Sequence, residues 1–301
     1  MLENKKISGI VTPIITSFSK SGSFDEEAQR EVVRFLKDKV DGFFPTGSYG
    51  MGPLLNIDER KQIAEVVVSE VNHAKTVIIM SGAANTQDAI DLSRHAESIG
   101  ADAVGAIPPY YFSYSEDELY AYYADIINAV SIPVLAYNYP KLSNNALSPK
   151  LVKNLAKIGL AGIKDSSMTL NTFHDYLLSI PKTEFPNFHH IIGTESLGSA
   201  AVSMGAKAII SGLSNAFPEI LSELWNTIQS KNQDEISKSQ LRVLQARSIM
   251  KKYPVSSMAL CYAILKSRGV NGGYPRKPFL SASNEILQSV IKDFKEIGIQ
   301  F

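Results

Sequence analysis

Short apolar runs alternate with longer amphipathic stretches along almost the whole chain. Gly9–Ile15, Gly42–Pro45, Val77–Ser81, Ala103–Ile107, Val134–Asn138, Leu160–Lys164, His190–Gly193 and Ala208–Ser211 are apolar without clear alternation. Such runs read as parallel strands covered on both faces. Between them, helices are predicted over Phe24–Val40, from Asn56 onward, and over Thr86–Ile99, Ser115–Ala129 and Ser148–Lys157. Three more follow over Leu170–Leu178, Glu195–Met204 and Phe217–Gln229. Asn56 with Glu59, and Ser115 with Glu118, have the spacing of capping boxes. Eight strand–helix units predict an α/β fold closed into a (β/α)8 TIM barrel. An open doubly wound sheet competes with it, and is disfavoured because no glycine-rich dinucleotide fingerprint follows the first strand.

Past residue 230 the pattern changes. Asp234–Lys252, Met258–Lys266 and Ala282–Ile297 all read as helices, with the loop Gly272–Pro278 between the last two. The expectation is a barrel over residues 1–230 and a C-terminal helical extension over 231–301, packed on it as one structural unit. The extension's helices also suit oligomer contacts.

Composition narrows the function classes. Thirty basic and thirty acidic residues cancel, and no basic block stands out, so neither nucleic acid nor an anionic membrane is an expected partner. No apolar run approaches the roughly 18 residues of a membrane span. The run Ile7–Ile15 is broken by Pro13 and no small-residue cleavage site follows, so it is not read as a signal peptide. The single cysteine, Cys261, reads as a small buried hydrophobe and not as half of a disulfide, in keeping with a cytoplasmic location.

In a barrel of this kind the working residues sit at the C-terminal ends of strands. That rule gathers the Thr46–Met51 loop, Tyr110, Tyr111, Tyr137, Lys164, Thr194, Glu195 and Ser211–Ser214 onto one face. A lysine at the end of an apolar strand is costly to bury charged, so its amine shifts toward the neutral nucleophile. Beside a phenol that moves protons, it has the makings of a Schiff-base enzyme. By itself, such a lysine is more often a solvated strand end, Tyr137 a packed core aromatic, and Tyr110 and Tyr111 an aromatic lid. The glycines at 47, 50 and 52 are expected to let backbone amides approach a ligand, with Ser48 and Tyr49 beside them as donors to a carboxylate. The loop lacks the lysine of a nucleotide-binding P-loop. His73, His95, His174, His189 and His190 show no metal-ligand spacing, so no metal is expected.

Taken in order, the motifs GIVTPIITSF, GSYGMGPLL, PPYY, YNYP, GIKDSS and GYPR resemble the dihydrodipicolinate synthase / N-acetylneuraminate lyase family of class I aldolases, over nearly the whole chain. The resemblance implies that Lys164 condenses with the keto group of pyruvate or of a sugar acid, with no cofactor beyond that covalent Schiff base. It implies proton relay by Tyr137 and a carboxylate site at Gly47, Ser48 and Tyr49. It implies that Tyr111 reaches a neighbouring subunit's site within a homotetramer built as a dimer of dimers. Thr194, Glu195 and Ser211 are expected to contact the rest of the substrate.

Departures from the family pattern sort the branches. Synthase members carry an arginine where this chain has Leu142, with Lys141 beside it. Met51 replaces the glutamate usual in the synthase and neuraminate branches, and Gly50–Pro53, YNYP, GIKD and Gly273–Arg276 resemble the 2-keto-3-deoxygluconate aldolase branch. Pro140–Ser143 resembles the neuraminate loop instead. Tyr49 stands where relatives have a small hydroxyl residue, and Asn144 where they often have glycine. Ser113 and Tyr114 follow the tyrosine pair where phosphate-accepting relatives have an arginine, so an unphosphorylated substrate is expected. The expected activity is reversible cleavage of a 2-keto-3-deoxy sugar acid to pyruvate and an aldehyde. A dihydrodipicolinate synthase, an N-acetylneuraminate lyase and a non-catalytic keto-acid sensor are the alternatives.

Overall fold

A computed structural model of the chain describes residues 7–301. Its eight strands are β1 (Gly9–Thr12), β2 (Gly42–Phe43), β3 (Thr76–Met80), β4 (Ala103–Ala106), β5 (Val134–Asn138), β6 (Gly162–Asp165), β7 (His189–Ile192) and β8 (Ala208–Ile210). They form a closed barrel in chain order, every pairing parallel, and β8 returns to β1 with Gly9 opposite Ala208. The predicted TIM barrel is therefore the fold.

Strand periodicity separates two packed layers. Val11, Phe44, Ile78, Leu135, Tyr137 and Ile191 point inward and fill the barrel. Ile10, Ile79, Ala136, Ile163 and Ile192 point outward, beneath the helices.

The surrounding helices are α1 (Glu26–Lys37), α2 (Ile57–Val71), α3 (Thr86–Ser98), α4 (Glu116–Ala129), a short α5 (Pro140–Ser143), α6 (Pro149–Lys157), α7 (Leu170–Ser179), α8 (Gly198–Met204) and α9 (Pro218–Ser230). Both capping boxes form, at Asn56–Glu59 and at Ser115–Glu118, satisfying donors at the starts of α2 and α4.

Three expectations shift. The first strand stops at Thr12, because Pro13 has no N–H to continue the ladder and the Ile15 N–H donates to Asn215 Oδ1 at 2.9 Å. The helix expected from Glu195 is a 3-10 turn, Glu195–Leu197, followed by α8. The loop after β5 contains α5, which ends at Asn144 with φ at 61°. Asparagine tolerates that left-handed conformation better than most residues.

Past the barrel come α10 (Gln233–Lys252), α11 (Ser257–Ser267) and α12 (Asn284–Glu296). They do more than cover the barrel wall. Tyr262 on α11 donates to the Thr16 carbonyl at 2.8 Å, and Gln240 on α10 donates to the Glu195 carbonyl at 3.0 Å. Both acceptors lie in loops at the C-terminal mouth. Phe217, at the start of α9, packs on Phe294 of α12 with ring centroids 4.3 Å apart. Cys261 is buried in α11, and burial pushes its thiol up to about 12. Among the described residues, no helix is long and apolar enough to cross a membrane.

The Gly273–Arg276 motif is structural. Arg276 forks onto Glu59 at 2.5 and 2.9 Å, donates to the carbonyls of Leu54 and Gly22, and lies 4.3 Å over the Phe18 ring. It thereby ties the C-terminal loop to the start of α2 and to the loop after β1. The guanidinium beside Glu59 holds that carboxyl below its ordinary value. Arg276→Ala is expected to cost about 2 kcal/mol in urea unfolding at pH 7. Because the Glu59 pKa is depressed in the fold, its share of that stability is present above the unfolded carboxylate pKa. It disappears as pH falls through the folded value, so the gap between variant and wild type should narrow in acid.

Candidate active site

Parallel register brings the two chemical side chains together. Tyr137 on β5 lies directly opposite Lys164 on β6, and both point into the barrel near its C-terminal mouth. The Lys164 Nζ lies 3.8 Å from the Tyr137 ring centroid and 4.4 Å from that of Phe44. Lys164 is only 4% exposed. Burial alone lowers its pKa to about 7, so at neutral pH a large share of the amine is uncharged. Burial likewise pushes Tyr137 up to about 12, with hydrogen bonding from Ser48 and Ser166 offsetting part of the rise. The phenol therefore holds its proton at neutral pH and has two hydroxyls next to it through which to exchange it.

The strand ends are braced one residue beyond the pair, where Asn138 lies opposite Asp165. Asn138 donates to Asp165 Oδ1 at 2.8 Å, and Ser167 donates to both carboxylate oxygens. Asn138 Oδ1 in turn accepts the Leu147 N–H at 3.1 Å. Asp165 is fully buried, and desolvation raises its pKa against those hydrogen bonds. This network fixes the C-terminal ends of β5 and β6 and so holds Lys164 in place against Tyr137.

Above them opens a cavity of about 380 Å3. Its lining includes Ser48, Tyr49, Tyr137, Lys164, Thr194 and Glu195 from the predicted set, together with Lys141 and Leu142. Three predicted residues are placed differently. Gly47 faces the Phe44 ring, which a Cβ would meet at 3.0 Å, and does not line the cavity. Ser211 is buried beneath the cavity and donates to Glu195 Oε2 at 3.2 Å, so within the fold it positions Glu195. Tyr111 is 83% exposed, stacked edge-on against Phe112 with centroids 5.1 Å apart, and stands outside the cavity of its own barrel. Ser214 is likewise taken up internally, sharing a hydrogen bond with Thr12 at 2.8 Å.

The glycines of the Thr46–Met51 loop also act differently from expectation. A Cβ on Gly50 would meet the Thr46 nitrogen at 2.9 Å, and one on Gly52 the Thr46 carbonyl at 2.0 Å. These two glycines let the loop fold on itself, with Thr46 and Met51 both at positive φ.

Several lining residues were not predicted. Arg247 and Lys251 come from α10, Ser257 and Met258 from α11, and Ser166 and Gly193 from the strand ends. Arg247 forms a short ion pair with Glu195, both side chains being largely buried. In sequence Arg247 and Lys251 sit one turn apart on a polar helix face, which reads as solvated surface. Only Ser166, inside GIKDSS, carried a usable signal, as it directly follows the strand that holds Lys164. The histidines stand elsewhere: His190 packs against Phe173 and Phe188, and burial lowers it to about 4. Among the described residues, no group of three or more His, Cys, Asp or Glu side chains is placed to hold a metal ion.

A buried amine of depressed pKa, a phenol and a walled cavity are the parts needed to form an imine with a ketone and to move protons around it. Known proteins agree with that chemistry. The probable 2-dehydro-3-deoxy-D-pentonate aldolase YjhH of Escherichia coli (strain K12) is 33% identical over 219 residues, 72% of each chain. The 2-dehydro-3-deoxy-D-gluconate/2-dehydro-3-deoxy-phosphogluconate aldolase of Thermoproteus tenax is 30% identical over 272 residues, covering 89% of this chain and 85% of that one. A crystal structure of KD(P)GA from T. tenax superposes with a TM-score of 0.86 at 27% identity, covering 96% and 98% of the two chains. Other activities occur among the relatives, including an N-acetylneuraminate lyase of Rhizobium meliloti at 28% identity, covering 91% and 90%. The model of the dihydrodipicolinate synthetase family matches residues 6–297, and the chain belongs to that family.

Proposed function

We propose that this class I aldolase reversibly cleaves a 2-keto-3-deoxy sugar acid of the 2-keto-3-deoxygluconate type to pyruvate and an aldehyde. The observation that carries the reading is the Lys164 amine, lowered to about 7 and set 3.8 Å from the Tyr137 ring. The neutral amine adds to the substrate's C2 ketone, and loss of water leaves an imine. Tyr137 takes the proton of the C4 hydroxyl as it passes its own toward Ser48 or Ser166. The C3–C4 bonding pair then flows into the imine as its nitrogen takes up a proton, balancing the one that leaves the C4 hydroxyl. This releases the aldehyde and leaves a neutral enamine. Protonation at C3 and hydrolysis return pyruvate and the free lysine. The Ser48 hydroxyl and the backbone of Ser48 and Tyr49 hold the acid's carboxylate, while the Tyr49 ring, Thr194 and Glu195 face the polyol.

The choice of branch rests on the rim. Leu142 is 54% exposed at the cavity edge and offers no donor to an aldehyde carboxylate, and Lys141 lacks the bidentate fork that an arginine supplies. Met51 is buried, with its sulfur 4.0 Å from the Tyr262 hydroxyl, and takes no part in the cavity. These features favour a neutral polyol over aspartate semialdehyde. The working form is a homotetramer, a dimer of dimers, in which Tyr111 enters a neighbouring site. Two adjacent exposed aromatics, at 83% and 64%, are the kind of patch that a subunit interface covers.

Borohydride reduction in the presence of 2-keto-3-deoxygluconate should leave a pyruvate-sized adduct on Lys164 by intact mass and peptide mapping. No adduct there with either the sugar acid or pyruvate would refute the aldolase reading and favour a sensor. Tyr137→Phe should keep the fold and lower kcat by about 100-fold or more, the scale of a lost proton relay; wild-type turnover would remove it from the mechanism. Because a protonated amine cannot attack, kcat/KM should rise with pH through about 7 and level off above, a limb read from a pH–rate profile. Light scattering should give the mass of four chains, and Tyr111→Phe should lower kcat without changing that mass.

A further inference from the structure

Tyr49 stands where two spaces meet. The main cavity of about 380 Å3 and a side chamber of about 30 Å3 share Tyr49, Glu195, Arg247, Lys251 and Ser257 in their walls, so these residues form the partition between them. Leu213 and Met250 close the chamber on its far side.

Most of the partition's polar groups are already committed. Glu195 accepts from Arg247 on one oxygen and from Ser211 on the other, which pins the carboxylate and the guanidinium to each other. Tyr49 is held differently. Its ring end lies directly on Gly212, where a Cβ would come within 1.9 Å of Cζ and 2.4 Å of the phenol oxygen. The ring can occupy this place only because residue 212 has no side chain. Among the described residues no hydrogen bond takes up the phenol, and burial holds it well above the usual tyrosine range, so it keeps its proton.

We propose that Tyr49, seated on Gly212, sets the chain length of the substrate. Its ring ends the pocket for a short polyhydroxylated 2-keto-3-deoxy acid, its O–H donates to an oxygen of that substrate, and the chamber behind it is space that a longer chain would need. This deepens the aldolase reading and rests on it. The pairing bridges β1: the ring comes from the loop after β2 and its seat from the turn after β8, the two strands that flank β1, so the two positions act as one device. A small hydroxyl side chain at 49 would join the chamber to the cavity. A methyl at 212 would displace the ring without removing it.

The test is run in the condensing direction on the full-length protein, with pyruvate and either glyceraldehyde or a six-carbon aldose as acceptor. The readout is the long-to-short ratio of kcat/KM within each variant, so a general loss of activity cancels. Tyr49→Ser should raise that ratio about tenfold or more, the discrimination given by roughly one methylene of pocket. Tyr49→Phe keeps the wall and should leave the ratio unchanged, while lowering kcat/KM for glyceraldehyde more than for propanal, which has no hydroxyl to accept the bond. Gly212→Ala should also change the ratio, and it decides the matter if Tyr49→Ser does not fold. An unchanged ratio in a folded Tyr49→Ser, or in Gly212→Ala when the first variant fails, overturns the proposal. Failure of pyruvate to trap on wild-type Lys164 would instead bring down the aldolase reading itself.

Discussion

An amine held out of water is the constraint on which the rest of this structure depends. Charged, Lys164 would have to give up its hydration for the faces of two aromatic rings, and the rings return only part of that cost. The lysine therefore spends much of its time neutral at physiological pH, which is the form that attacks a carbonyl. Keeping it there requires a wall without gaps. The inward layer of Val11, Phe44, Leu135, Tyr137 and Ile191 supplies that wall. The Asn138–Asp165–Ser167 network stops the strand ends from splaying.

A buried nucleophile at a barrel mouth needs an entrance that admits substrate and is otherwise well defined, and the C-terminal helices provide it. α10 is fastened to the β7 loop through Gln240 and through the Arg247–Glu195 pair, so a carboxylate that faces the cavity is oriented by a helix far along the chain. Arg276 fastens the loop before α12 to the start of α2, behind the glycine-bearing loop. The extension thus belongs to the site as much as to the scaffold.

The Lys164–Tyr137 pair and the entrance above it are built differently. The pair and its bracing network are close-packed and internally hydrogen-bonded. The entrance is lined instead by Tyr49, Lys141, Leu142 and Lys251. Tyr49 shows how a bulky ring in that loop is accommodated, since it requires a glycine in the turn after β8, the strand on the other flank of β1.

Much of this was legible in the amino-acid order alone. Unbroken apolar runs announced strands covered on both faces, the capping boxes marked where α2 and α4 begin, and the eight-fold alternation left one closed architecture. Lys164 and Tyr137 were visible because each ends such a run, and strands that follow one another in a parallel barrel must pair. The tertiary structure decided what local pattern does not encode, namely which distant segments meet. Arg247 and Lys251 look like a solvated helix face until α10 lies across the mouth. Ser211 looks like a substrate ligand until Glu195 takes its hydroxyl. Gly50 and Gly52 look like an open cradle until Thr46 folds back over them. The physical reason is the same in each case. Periodicity reports which face of an element avoids water, whereas the partner of a polar group depends on contacts between segments tens to hundreds of residues apart.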